Sequence, residues 1–276
     1  MYVAGAVIAL LVLAVGALVV VAGSRDDERT TLPPVEAYSL AAALDDTVAA
    51  RTVFFDVTVS SADLGAVTIS GGVDNEAELM TVSTDLSSIA GLDGVAGPDS
   101  MGQVEVVLDG RNQVLYLGGL GGFLPGSAAW VSADLEVLAE RAGVSPDEMR
   151  AELFVDPTES ARVLLDAENV VEIGSETIDG VETVHYQATV DLAAALAAAP
   201  QADLPADLPA LRELGVPDTV VYDIWVTADN QLRRAGFDVE IAGAPLSVLF
   251  DMTTDTAPLD VDIPADAFDI TALLDF

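Results

Sequence analysis

The chain has no cysteine, no lysine and a single histidine, His185, among its 276 residues. Each gap removes a class of chemistry. Without cysteine there is no disulfide, no thiolate nucleophile and no thiolate metal site. Without lysine there is no Schiff base, no lysine general base and no phosphate loop of the Gly-x-x-x-x-Gly-Lys kind. All ten basic residues are arginine, set against 46 acidic ones, and the net charge of −36 opposes binding to nucleic acid or electrostatic docking on anionic headgroups. Aromatic residues make up only 5% of the chain, so its apolar surfaces are built mainly from Val, Ala and Leu.

What is present first is a run without charge. Tyr2 to Gly23 carries no charged side chain, and Ser24-Arg25-Asp26-Asp27-Glu28-Arg29 follows at once. As a helix, about 22 residues at ~1.5 Å each span roughly 33 Å, the thickness of a bilayer's hydrocarbon core. A secretory signal has a shorter apolar core, about 7–15 residues, behind a basic stretch that is missing here. The expectation is an uncleaved transmembrane anchor over 1–23, a stem over 24–34 punctuated by Pro33-Pro34, and one domain over 35–276. Val21-Ala22-Gly23-Ser24 resembles the small-residue box before a bacterial lipoprotein's acceptor cysteine, with Ser24 in place of the thiol; ordinary small residues at a helix end read the same way. Arg25 and Arg29, taken by the positive-inside rule, would hold that flank in the cytoplasm. The box favours the opposite orientation, with the domain outside the cell membrane.

Beyond the stem, patterning alternates between helix and strand. Leu40, Leu44 and Val48 form one stripe of a helix over Val35–Ala50. In Thr52–Ser60 the residues Val53, Phe55, Val57 and Val59 face one way and Phe54, Asp56, Thr58 and Ser60 the other, the period of a strand with one buried face. Strands are expected over Ala66–Val73, Glu76–Leu86, Gln103–Leu108 and Gln113–Leu117, with Asp109-Gly110-Arg111-Asn112 as a hairpin turn and a long loop over Ser87–Gly102. A helical middle follows near Ala133–Ala142, Ser145–Phe154 and Asp156–Ala167. Ser145-Pro146-Asp147-Glu148 and Asp156-Pro157-Thr158-Glu159 each supply a cap, a first-turn proline and a glutamate. Strands resume over Val170–Glu176, Val181–Asp191, Thr219–Thr227, Leu232–Ile241 and Pro245–Thr253, interrupted by an Ala/Pro-rich insertion, Leu192–Pro217, with a short helix near Leu208–Leu214. Helix, strands, helices, strands, joined by hairpins, is an α+β order: one antiparallel sheet with helices on one face.

Trp130-Val131 after a glycine-rich stretch, the Asp156-Pro157 helix start, Gly174 to Tyr186 around Asp179-Gly180, Ile224 to Arg234, and Val261-Asp262-Ile263-Pro264-Ala265-Asp266-Ala267-Phe268 occur in one linear order. Over about residues 35–270 the chain resembles the LolA-like actinobacterial lipoproteins of the LppX/LprG kind, and it departs from them in having no lipidated cysteine. The resemblance implies a strongly curved antiparallel sheet, a half-barrel wrapped around helices, with an apolar cavity for acyl chains of envelope lipids. It also supports the extracytoplasmic placement.

Catalytic constellations are scarce. His185 shares a polar strand face with Thr183, Gln187 and Thr189, and no Gly-x-Ser-x-Gly elbow accompanies it, so it reads as an exposed strand histidine. Asp260, Asp262, Asp266 and Asp269 lack the spacing of a calcium loop and read as a solvated charge run. No catalytic residue, metal or cofactor is expected. The apolar sides of the strands offer Phe55, Val57, Tyr186, Phe237, Val248 and Phe250, which either fill a core or line a cavity. Leu120, Phe123 and Leu124 in the Gly118–Gly126 stretch either cover the mouth of such a cavity or tuck into the core. The favoured expectation is a non-enzymatic, membrane-anchored binder of a lipid or other long apolar molecule, serving transport or hand-off in the envelope. The alternative is a sensor or protein-interaction module of the envelope with a filled core.

Overall fold

The structure is a computed structural model and describes residues 38–62, 65–85, 102–119, 129–146, 149, 168–191, 217–241 and 243–271. The element order is α1 (Leu40–Ala49), β1 (Thr52–Ser61), β2 (Gly65–Asp74), β3 (Leu79–Asp85), β4 (Gln103–Asp109), β5 (Val114–Gly118), β6 (Trp130–Asp134), α2 (Leu135–Ala142), β7 (Glu168–Ile178), β8 (Val181–Asp191), β9 (Thr219–Thr227), β10 (Leu232–Ile241), β11 (Ala244–Asp255) and β12 (Phe268–Asp269). All twelve strands form one open, curved sheet in the order β12-β6-β5-β4-β3-β2-β1-β11-β10-β9-β8-β7. Two meanders, β1–β6 and β7–β11, are therefore joined through the pairing of β1 with β11, Thr52 opposite Asp255 and Ser61 opposite Leu246.

The expected α+β order holds in a sheet-dominated form with two described helices. Every pairing is antiparallel except one: β12 runs parallel to β6, with Phe268 opposite Val131. That corrects the all-antiparallel expectation. β11 ends beside β1, and the chain reaches β6 only by crossing the intervening strands, so the returning segment arrives in the direction of β6. The strand Trp130–Asp134 is also new; its last two residues had been assigned to the helix.

Local chemistry sets the boundaries. α1 begins at Leu40, not Val35, because Tyr38 takes φ 61 and Ser39 caps the helix by accepting from the Ala42 N–H at 3.4 Å. Its stripe packs as the spacing predicts: Leu44 is buried, with Leu40 and Val48 against the same cluster. Asp134 caps α2 through the N–H groups of Glu136 and Val137, and Gly143 at φ 76 closes it. Asp179 and Gly180, at φ 50 and 83, make the two-residue hairpin that joins β7 to β8, the left-handed pair that a type I′ turn requires.

Ala43 and Leu44 of α1 and Leu135 of α2 belong to one buried cluster with the strands, so both helices lie on the same side of the sheet, termed here the inner face. On the outer face the C-terminal segment forms a strap. Thr52 Oγ1 donates to the Ala257 carbonyl at 2.6 Å, the Leu259 N–H donates to Asp74 Oδ2 at 3.1 Å, and the Ile270 N–H donates to the Ser132 carbonyl at 2.9 Å. Adjacent glycines in β2 serve the two faces. A Cβ on Gly71 would sit 2.5 Å from the Phe55 ring on the inner side, and one on Gly72 would sit 2.8 Å from the Leu259 side chain on the outer side.

Among the described residues no helix is long and apolar enough to cross a membrane. The expected anchor over 1–23 and the stem lie outside the described residues. So do the expected helix over Asp156–Ala167, most of that over Ser145–Phe154, the short helix near Leu208–Leu214, and Leu120, Phe123 and Leu124. Only the first turn of the second middle helix is described, where the Met149 N–H donates to the Ser145 carbonyl at 2.9 Å.

Candidate functional site

Cross-strand register assembles the inner face into rows. Ala188, Tyr222, Phe237, Val248, Val59 and Val67 lie opposite one another in turn across β8, β9, β10, β11, β1 and β2. The next row runs Tyr186, Ile224, Ala235, Phe250, Val57 and Ile69 over the same strands. A third passes from Met252 through Phe55, Gly71, Val82, Val106 and Leu117 to Val131. The structure thus places all six expected lining residues on one face, within three consecutive rows. Phe55, Val57, Phe237, Val248 and Phe250 are buried members of one cluster, and Tyr186 packs against it.

Burial is uneven along these rows. On β1 and β8–β11 most inward side chains are closed off, with Ile224 and Val226 at 0% exposure and Val248 at 1%, while Tyr186 and Val239 are half-buried. The Phe237 and Tyr222 rings meet at 4.9 Å, and burial pushes the Tyr222 phenol well above its ordinary pKa. The Tyr186 hydroxyl donates to the Tyr38 carbonyl at 2.7 Å, closing the approach to α1; burial and then the Glu172 carboxylate raise its pKa. On β2–β5, by contrast, Ile69, Val82, Val106, Leu115 and Leu117 are only half-buried although they continue the same rows. Sequence reasoning missed these five. Their signal was present as alternation, but alternation reports which face a side chain takes and not what covers it.

The outer face is polar. One row runs His185, Trp225, Arg234, Asp251, Asp56, Ser70, Ser83 and Glu105 across β8 to β4. His185 is less exposed than its pattern predicted, with 20% of its side chain accessible: Nε2 lies 2.7 Å from Asp223 Oδ1 and the ring stacks on Trp225 at 4.5 Å. The Trp225 indole N–H donates to Glu176. Arg234 pairs with both Asp251 oxygens at 2.6 and 2.9 Å, which raises its pKa further. These groups satisfy one another: the imidazole's near partners are the Asp223 carboxylate and the Trp225 ring. At the strap's root, Asp74 is fully buried. Desolvation raises its pKa, but the N–H groups of Ala77 and Leu259 and the Arg51 guanidinium outweigh that and hold the carboxyl below the usual range. Asp260, Asp262, Asp266 and Asp269 are exposed, and among the described residues no group of three or more His, Asp or Glu is arranged to hold a metal.

Two depressions accompany these faces. One, about 690 Å³, lies on the outer face between the strap and β3, β4 and Trp130. The other, about 660 Å³, lies where β1, β2, β10 and β11 end, lined by Ala62, Ala66, Val239, Pro245 and Leu246 among others. Neither of these two is lined by any of the six expected residues.

Comparison with known proteins gives one curated relative and a set of solved structures. The chain is 32% identical over 113 residues to an uncharacterised 31.2 kDa protein of the rplA-rplJ intergenic region of Streptomyces griseus, a match covering 40% of this chain. It spans only 37% of that relative's length. Among solved structures it is similar to LprF from Mycobacterium bovis (TM-score 0.48, 17% identity, covering 82% of this chain and 95% of that one). It is also similar to the Mycobacterium tuberculosis lipoprotein LppX (TM-score 0.46, 15% identity, covering 81% and 98%). LppX is itself of the kind that the sequence resembles. No family model matches the chain.

Proposed function

We propose that this chain is a non-enzymatic carrier of the cell envelope. It binds a lipid or another long apolar molecule between the inner face of its sheet and the helices. The observation that carries the reading is the half-buried extension of the inner rows, Ile69, Val82, Val106, Leu115 and Leu117, continuous with the packed core. An aliphatic wall of this kind suits acyl chains, since each buried CH₂ contributes about 0.8 kcal/mol and no charged anchor is needed. Under this reading Phe55, Val57, Tyr186, Phe237, Val248 and Phe250 form the floor, and Leu120, Phe123 and Leu124 are candidates for the lid. Residues 1–23 hold the domain at the outer side of the membrane as a single-pass anchor, which suits local hand-off better than free diffusion.

One observation favours the alternative of an interaction module. Val170, Val171 and Ile173 are exposed at 44%, 55% and 53% on β7, an end strand of the sheet, where unpaired backbone groups can receive another chain. Native mass spectrometry of the chain purified from its own host, followed by solvent extraction, separates the two. Near-stoichiometric lipid supports the carrier. A bare polypeptide mass that takes up no lipid on later incubation rejects it.

A further inference from the structure

The outer-face depression is built differently from the apolar wall behind it. Thr81 and Ser83 of β3 and Gln103 and Glu105 of β4 form its base, and Trp130 of β6 forms one side. Gly118, which stands between Glu105 and Trp130 in the cross-strand row, has no side chain, and a Cβ there would lie 2.8–2.9 Å from three atoms of the indole. The ring therefore lies over the β5 backbone. The strap, with Val261 and Pro264, supplies the opposite wall. Val107, although it points outward, is left only 3% exposed beneath this arrangement. The volume, about 690 Å³, is that of a small-molecule site.

Its charge has one sign. Glu105, Asp260, Asp262 and Asp266 line it, and among the described residues no arginine does. An indole beside carboxylates, with hydroxyl and amide groups below, has the chemistry that receives an organic cation: the ring attracts positive charge and the apolar substituents cover it. A hydrated metal ion would make no use of the indole, and an anion would be repelled.

We propose that this depression is a binding site for an alkylammonium group, separate from the inner face and independent of what that face holds. The group is carried either by a free small molecule or by a lipid headgroup. The test uses the full chain in a maltoside detergent at fixed ionic strength, with Trp225→Phe so that Trp130 is the sole tryptophan and can be excited selectively. Choline and short-chain dihexanoyl phosphatidylcholine below its micellar concentration are the probes, and 3,3-dimethylbutanol is the neutral isostere.

The expected result is a saturable change in Trp130 fluorescence with choline and none with the alcohol. Choline alone identifies a free small molecule as the source, and a response to both cations admits the headgroup. Glu105→Gln should weaken binding several-fold at an unchanged melting temperature. Trp130→Leu, followed by saturation transfer to the choline methyl protons, should weaken it about three- to thirtyfold. No saturation with either cation, an equal response to the alcohol, or undiminished affinity in a folded Glu105→Gln chain would overturn the proposal.

Discussion

Most inward side chains of β1 and β8–β11 are buried, with Tyr186 and Val239 half-buried, whereas on β2–β5 the buried Val67, Val73, Met80 and Leu108 stand among Ile69, Val82, Val106, Leu115 and Leu117, which are only half covered. The rows are continuous, so the difference does not come from alternation or register. It comes from what stands above them. Over β10 lies α1, tied down by the Ser39 N–H to Asn230 Oδ1 at 2.7 Å and by the Tyr186 hydroxyl to Tyr38. The packed stretch holds the fold, and the half-covered stretch is the one with apolar surface left to offer.

The largest effect should come from the packed stretch. Phe237→Ala removes a ring that meets Tyr222, and it should cost about 3–5 kcal/mol in urea denaturation. Next is Asp74→Asn. It leaves the Leu259 N–H and Arg51 with a weaker acceptor and should cost about 1–3 kcal/mol, with faster hydrogen exchange along the strap. The same residue gives a pH dependence. Its folded pKa is depressed, so its contribution is full above the unfolded value and is lost as pH falls through the folded one. Stability should therefore drop on acidification below about pH 4, and less steeply in Asp74→Asn.

Leu115→Ala, in the half-covered stretch, should cost about 1 kcal/mol yet lower the uptake of a fluorescent fatty acid. If it cost as much as Phe237→Ala, the two stretches would be one core and the distinction would fail. Smallest of all, Arg234→Met on the outer face should change stability by less than about 1 kcal/mol, because the pair with Asp251 is partly exposed to solvent.

Much of this was legible in the sequence, for identifiable reasons. Thr219–Thr227 was placed to the residue because its alternation is unbroken, Leu232–Ile241 because its alternation holds from Ala235 on despite a register shift between Leu232 and Arg234, and Asp179-Gly180 because the turn type demands those residues. Trp130–Asp134 was missed because five residues running straight into a helix give too few periods, and Asp134 belongs to both as strand end and cap. β12 is two residues long, and its parallel partner follows from the strap's path across the outer face, which no local pattern encodes. For the site, phase was enough to group Phe55, Val57, Tyr186, Phe237, Val248 and Phe250. It could not say that Ile69, Val82 and Leu115 keep free surface, since that depends on where α1 comes to rest. Nor could it show Trp130 laid across Gly118, a contact set by pairing between strands.

The β1–β11 pairing also governs how the molecule is made. Each meander can form from near neighbours as the chain emerges, but the seam between them joins residues about 200 positions apart, a topology associated with folding in milliseconds to seconds rather than microseconds. Until β11 has been synthesised, Val53, Phe55, Val57 and Val59 have a neighbour on one side only. During that interval the bare edge of β1 is open to pairing with another chain, and the strap that later fastens over Gly72 closes only after that edge is gone.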